Sequence, residues 1–226
     1  MKHWIIAAAM ALAACGPAAE KAAENPPEPV AVAAPAGEYR LDKNHASLIF
    51  RVNHLGLANY TARFTSFDAT LTLDPANLAT TSLAATVSPG SVETDYPGDY
   101  RAGHSDRPYT GWDDDLARSP EFFNAGQFAE ASFQSTGIDQ TGPATARVTG
   151  DLTLLGQTHP LTLDVTLTGS AAQHPFNQNG AVGFTAIGKF NRSQFGMTYL
   201  LQPLYVGDEV TIEFNGEFHQ QVAPAN

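Results

Sequence analysis

Cysteine is almost absent from the chain. Cys15 is the only one in 226 residues, so no intramolecular disulfide can form and the fold must be held by packing. Basic residues are also scarce, 12 Lys and Arg against 23 Asp and Glu. The resulting net charge of -11 argues against nucleic acid or an anionic membrane face as partner and leaves neutral, apolar or cationic ones. No segment carries a sustained amphipathic helical period; the one short exception is Ser119-Pro120-Glu121-Phe122-Phe123, where Ser as N-cap and Pro at the first position predict a helical turn or two. Signatures of catalysis are missing as well. There is no Gly-x-Ser-x-Gly, no Ser-x-x-Lys with partners and no glycine-rich phosphate cradle, so nothing supports an enzyme. His45, His54, His104, His159, His174 and His219 fall at no metal-ligand spacing, and Asp113-Asp114-Asp115 lacks the pattern of a calcium loop. Hydrogen-bonding histidines and a solvated acidic loop near a helix N-terminus are expected, with no metal and no cofactor.

What the chain does contain is strand. Val148 to Gly169 reads as one long hairpin: Leu152 and Leu154 alternate with Asp151 and Thr153, then Leu161, Leu163, Val165 and Leu167 alternate with Thr162, Asp164 and Thr166. Leu155-Gly156-Gln157-Thr158 breaks the period, with Gly supplying turn geometry. Further strands follow Leu48, Phe50 and Val52; Phe67 to Leu73; Leu83 to Val87; Ala131 to Ser135; Val182 to Phe190; and Val210 to Phe218. Phe64 is out of step with Phe67, which predicts a bulge or bend at Thr65-Ser66. About eight strands, each with one apolar face and no helical layer to cover it, predict an all-β antiparallel barrel in a single domain.

The N-terminus is of another kind. Residues 1–15 place Lys2 before an apolar stretch too short to span a bilayer, which is a secretory signal. Leu12-Ala13-Ala14-Cys15 also resembles a bacterial lipobox, which makes Cys15 a lipidated membrane anchor and leaves no thiol for catalysis. Gly16 after it resembles outer-membrane-sorted lipoproteins, so a periplasmic lipoprotein of the bacterial cell envelope is expected. Residues 16–36 are rich in Pro and Ala without an apolar period and predict an extended tether reaching up to ~60 Å at ~3 Å per residue. Residues 37–220 form the barrel domain and 221–226 a flexible tail.

Seven stretches in order carry a family resemblance. They are Asp42-Lys43-Asn44-His45-Ala46-Ser47 with Phe50-Arg51-Val52-Asn53-His54-Leu55-Gly56; Phe64-Thr65-Ser66-Phe67; Ser91-Val92-Glu93-Thr94; Leu116 to Phe123; Ala131 to Thr136; Gly150 to Gly156; and Asn191-Arg192-Ser193-Gln194-Phe195-Gly196. Across 38–219 the chain resembles the YceI-like, polyisoprenoid-binding family. The resemblance implies a lipocalin-like barrel enclosing an isoprenoid chain, with no catalytic step. One departure stands out. Where the family usually has Arg-Asp-x-His-Leu, this chain has Trp112-Asp113-Asp114-Asp115-Leu116, which favours a less anionic ligand such as a quinone or neutral lipid.

The expected ligand-lining residues are Phe50, Val52, His54, Phe64, Phe67, Trp112, Phe123, Phe133, Leu152, Leu154, Phe184, Phe190, Arg192 and Phe214. Their apolar face is read either as a solid core or as a tunnel wall, and the resemblance favours the tunnel. His54, at a strand end, is placed to donate to a head group at the barrel mouth. Arg192 is read equally as a partner for a ligand oxygen or as a surface salt bridge closing the barrel end. The connection from Glu93 to Trp112, with Tyr96, Tyr100 and Tyr109, is read as a lid or as a plain surface excursion. The leading function is a membrane-tethered carrier or scavenger of an isoprenoid or similar long apolar molecule; an adaptor barrel filled by its own side chains and a membrane-spanning barrel are the alternatives. Homodimer formation is left open.

Overall fold

The computed structural model describes residues 31–201 and 205–221; the signal segment with Cys15, most of the expected tether and residues 222–226 lie outside the described residues. The elements are β1 (Gly37–His54), β2 (Ala58–Phe64), β3 (Phe67–Leu73), β4 (Ser82–Val87), β5 (Val92–Glu93), α1 (Tyr100–Gly103), α2 (Trp112–Arg118), β6 (Ala131–Gln140), β7 (Thr145–Leu154), β8 (Gln157–Ala171), β9 (Ala181–Asn191) and β10 (Val206–Gln220). Every ladder is antiparallel. Following hydrogen bonds, β1 leads to β10, β9, β8, β7, β6, β4, β3 and back to β1, closing an eight-stranded barrel.

The central hairpin forms as its alternation predicts, with Leu154 opposite Gln157. Its turn is tighter than the sequence break suggests. Only Leu155 (φ 50°) and Gly156 (φ 72°) leave the ladder, both left-handed, which matches the twist of the flanking strands.

β1 pairs with β10 along most of its length, but on its other edge it changes partner. Gly37–Arg40 pair with β3, whereas Leu48–His54 pair with β2, so the sheet forks at the Thr65-Ser66 corner. Ser91 holds that corner: its carbonyl accepts from Thr65 N at 3.1 Å and its hydroxyl from Ser66 N at 3.0 Å. The expected bend is therefore a full strand break, and β5 pairs with the outer edge of β2. Helix α2 packs against β5 and shuts one end of the fork.

The other barrel end is solid. Tyr39, Leu41, Leu71, Leu73, Val182 and Phe218 pack there with Phe67, Phe184 and Phe214. Ala34 is 2% exposed, Ala33 N donates to Ser170 Oγ at 2.8 Å, and Tyr39 Oη donates to the Pro35 carbonyl at 2.6 Å. The last residues of the stretch assigned to the tether are thus docked against this end. Outward positions on β8, Thr162, Asp164 and Thr166, are exposed, while the alternate Leu161 and Leu163 are buried. The apolar faces turn inward, the reverse of the apolar outer band that a membrane-spanning barrel requires.

The helix lies upstream of the predicted one. Ser119 terminates α2, its N–H donating to the Asp115 carbonyl, and residues 120–123 form a turn. Asp113, Asp114 and Asp115 in the first turn, beside the exposed N–H groups of the helix start, outweigh the Ser-Pro signal.

Gly150 faces the Phe133 ring, and a Cβ there would strike that ring and lie 2.5 Å from the Gln134 carbonyl oxygen. Gly150→Ala should therefore cost about 1–3 kcal/mol by overpacking, read as a lower urea midpoint at unchanged slope.

Candidate functional site

Inside the forked end of the barrel lies a cavity of about 540 Å³. That volume falls within the ~300–1,000 Å³ of small-molecule sites. Its walls come from β1 and β2 on one side, β7, β9 and β10 on the other, with α2 and the turn after it as cap. It reaches the surface beside His54, Ala58, Asn59 and Leu200, all of which are exposed.

Most of the predicted lining residues meet here. Phe50, Val52, His54, Phe64, Trp112, Phe123, Leu152, Leu154, Phe190 and Arg192 border the cavity. Phe67, Phe184 and Phe214 do not, because they belong to the packed closed end, and Phe133 sits in the mid-barrel core with Val148, Leu161 and Leu163. Solid core and hollow are both present, at opposite ends. Phe50, Phe64 and Phe123 form one aromatic cluster in the cavity lining, with centroids 5.4 to 5.8 Å apart.

The connection after β5 supplies a wall. Tyr96, Gly98, His104 and Arg107 line the cavity. Tyr96 stacks on Tyr60 at 4.7 Å, and its hydroxyl accepts from Thr61 N at 2.8 Å, fixing the loop to β2. His104 stacks on Tyr100 at 4.7 Å and meets the Trp112 ring edge-on at 4.6 Å.

Two polar atoms in this aromatic wall are buried without a hydrogen-bond partner, Tyr60 Oη and Trp112 Nε1. Burial pushes the Tyr60 hydroxyl well above the usual phenol range, so it stays a neutral donor at physiological pH. The Thr94 hydroxyl donates to Asp113 and lies near enough to Tyr60 Oη to counter part of that rise. A buried unmatched donor costs ~1–3 kcal/mol, a cost removed by any ligand atom that accepts from it.

The acidic run is solvated only in part: Asp113 is exposed and Asp114 half-buried, but Asp115 is buried. Asp115 is 5% exposed and receives Arg107 through Nε to Oδ2 at 2.7 Å and Nη2 to Oδ1 at 2.6 Å. Tyr100 Oη donates to the same carboxylate at 2.8 Å, and Arg107 Nη1 donates to Glu121 at 2.7 Å. The guanidinium also lies between the rings of Tyr109, Phe122 and Tyr199. Asp115, reinforced by Glu121, holds Arg107 still further above its ordinary range, and burial with Asp115 alongside pushes the Tyr100 phenol up to about 12. Asp114 accepts from Thr110 and Arg118, and Asp113 from Thr94. The cation that the 112–115 stretch lacks is brought in from the loop at position 107, and two carboxylates already neutralise it.

Arg192 does not close the barrel end through a surface salt bridge; its partners among the described residues are backbone carbonyls. It is 4% exposed, and Nε, Nη1 and Nη2 donate to the carbonyls of Gly207, Met197 and Val206 at 2.8, 3.0 and 3.1 Å. Burial lowers its pKa. Ser193 binds Asp208 through its N–H and hydroxyl, and Gly196 ends the short turn in left-handed geometry (φ 84°). The Asn191-to-Gly196 stretch therefore ties β9 to the start of β10 and seats the buried Phe195 behind the cavity.

Breaking the Arg107 pair should leave a buried charge. Asp115→Asn is expected to cost on the order of 3 kcal/mol, the low end for such pairs because Glu121 remains, and Arg107→Met with Asp115→Leu should recover most of the loss in thermal melts.

The model of the YceI-like domain matches residues 39–218. Protein YceI of Salmonella arizonae is 34% identical over 183 residues, covering 80% of this chain and 87% of its own length. Burkholderia cenocepacia BcnA shares the fold at a TM-score of 0.61 and 23% identity, covering 78% of this chain and 98% of its own. A polyisoprenoid binding domain from Saccharophagus degradans, implicated in plant cell wall breakdown, shares it at 0.52 and 12%, covering 82% and 99%. The structural likenesses establish the barrel, and the sequence matches establish the kinship: the chain belongs to the YceI-like domain family.

Proposed function

We propose that the barrel binds a long apolar molecule with a neutral, hydrogen-bond-accepting head group, an isoprenoid quinone being the best chemical match. The observation that carries this reading is an apolar, aromatic cavity whose wall holds the unpartnered donors Tyr60 Oη and Trp112 Nε1. A quinone carbonyl accepts from both kinds of donor, and a prenyl tail needs only apolar wall. Each buried CH₂ contributes about 0.8 kcal/mol, so one five-carbon unit brings roughly 4 kcal/mol before the costs of ordering.

Charge argues in the same direction. Arg107 is the cation on the cavity wall nearest the capping helix, and its donors are spent on Asp115 and Glu121. A prenyl phosphate would have to displace a buried carboxylate to reach it, whereas a neutral head needs no counter-charge. The Saccharophagus domain, a polyisoprenoid binding domain of the same fold, supports the apolar tail.

The N-terminal segment extends the reading to location. Lys2, the short apolar run and the Leu12-to-Cys15 lipobox support export and lipidation of Cys15, with residues 16–30 spacing the barrel from an envelope membrane. Such an anchor holds a carrier or scavenger within reach of its lipid source.

Titrating the purified chain with decylubiquinone, farnesol and farnesyl phosphate, and following quenching of Trp112, tests the head-group claim. Decylubiquinone should bind tightest. Leu152→Trp should fill the cavity and weaken all three by about 10-fold or more, since it removes buried chain length worth over ~1.4 kcal/mol. Tyr60→Phe should weaken decylubiquinone about 5-fold, one hydrogen bond's worth, at unchanged fold. Tightest binding of farnesyl phosphate would contradict the neutral-head reading, and binding of none of the three would leave the self-filled adaptor.

A further inference from the structure

Glu217 and His219 lie two residues apart on β10 and so project from the same face of the barrel, outside Phe218, which is buried in the closed end. The connection between β8 and β9 folds over them. His174 N donates to the Asn179 carbonyl at 2.6 Å and Gln178 N to the His174 carbonyl at 2.9 Å, a tight turn that sets the His174 ring 4.7 Å from that of His219. His174 Nδ1 and His219 Nε2 are both buried and neither has a hydrogen-bond partner. Glu217 Oε2 stands 3.6 Å from His219 Nε2, and the three donor atoms lie within 4.8 Å of one another.

Two buried imidazole nitrogens without a hydrogen-bond partner are costly to leave unmatched, and a cation held between them and the carboxylate would match both. We propose that His174, Glu217 and His219 bind a divalent transition-metal ion, with zinc the best match, at the barrel end opposite the cavity. Imidazole donors exclude magnesium and calcium, and an N₂O set with one open position suits tetrahedral zinc. Ligand atoms ~2.0–2.1 Å from such an ion stand roughly 3.4 Å apart, so the side chains need only close inward by about 1 Å. Asp42 and His45 flank the site. The register of β1 against β10 slips between Leu41 and Ala46, which lifts this pair over Glu217, but Asp42 Oδ2 and His45 Nδ1 hold each other at 2.7 Å.

The neighbouring amide sets a condition on binding. Asn177 Nδ2 lies 2.9 Å from His219 Nδ1 while its Oδ1 accepts from Asn179 N, which keeps the His219 proton on Nε2. Metal at Nε2 requires that proton to leave and Nδ1 to be protonated, so the Asn177 amide turns to present its oxygen. The ion then staples the β8–β9 connection onto β10.

Calorimetric titration of the untagged, EDTA-stripped chain with zinc chloride tests the site, with the cobalt(II) visible spectrum as reporter of nitrogen ligation and thermal melts in EDTA as the control for folding. One zinc per chain is expected, with a raised melting temperature. His174→Ala, His219→Ala and Glu217→Gln should each lose about 100-fold or more, beyond the 10–100-fold of outer-shell changes, and Asn177→Asp should tighten binding about 10-fold by offering a carboxylate to Nδ1. No zinc uptake, or uptake unchanged in folded His174→Ala and Glu217→Gln chains, would overturn the assignment. Loss confined to His45→Ala would move the ion to the flanking pair and overturn it equally.

Discussion

One strand serving two neighbours shapes the whole molecule. β1 binds β10 nearly end to end, which closes the ring, yet its other edge passes from β3 to β2 partway along. Antiparallel pairing must satisfy every buried backbone donor, so the strand cannot widen one end of the barrel without recruiting a new partner there. β2 and β5 are those partners, and the space between the diverging branches becomes the cavity. At the unforked end the same apolar faces meet directly and fill with Phe67, Phe184, Phe214 and Phe218. Hollow and solid halves thus follow from one change of partner.

Polar groups inside an apolar barrel need an account, and most receive one. Arg107 and Asp115 neutralise each other where α2 caps the cavity, and Arg192 donates three hydrogen bonds to the backbone of the β9–β10 connection. Both act as struts rather than as open charges. Among the described residues the groups left over are Tyr60 Oη and Trp112 Nε1 in the wall and the two histidine nitrogens at the far end. These exceptions are where the proposed apolar ligand and the proposed metal ion would supply the missing partners.

The barrel was legible because alternation with period two is a local signal: Leu161, Leu163, Val165 and Leu167 declare their face without reference to any partner. β2 carries the same alternation in Tyr60, Ala62 and Phe64, and was hidden by the shift of phase at Phe67. The cavity was only half legible. Phe50 and Phe214 look alike in sequence, and which one borders space depends on where the sheet forks, a long-range property. The Arg107–Asp115 pair spans a loop, and the His174–His219 approach depends on two connections meeting, so neither has a spacing that a motif search would find. The Ser119-Pro120 signal misled because the acidic turn before it begins the helix first.

The central claim is that the forked end of the barrel holds a long apolar molecule with a neutral head. Native mass spectrometry of the chain purified from its own cells in detergent-free buffer, followed by organic extraction of whatever is bound, addresses it most directly. The account predicts a discrete added mass that extracts as a prenyl quinone or another neutral prenyl lipid and that is absent from the Leu152→Trp chain. A bare chain mass in both, with no mass gained on incubation with decylubiquinone, would contradict it.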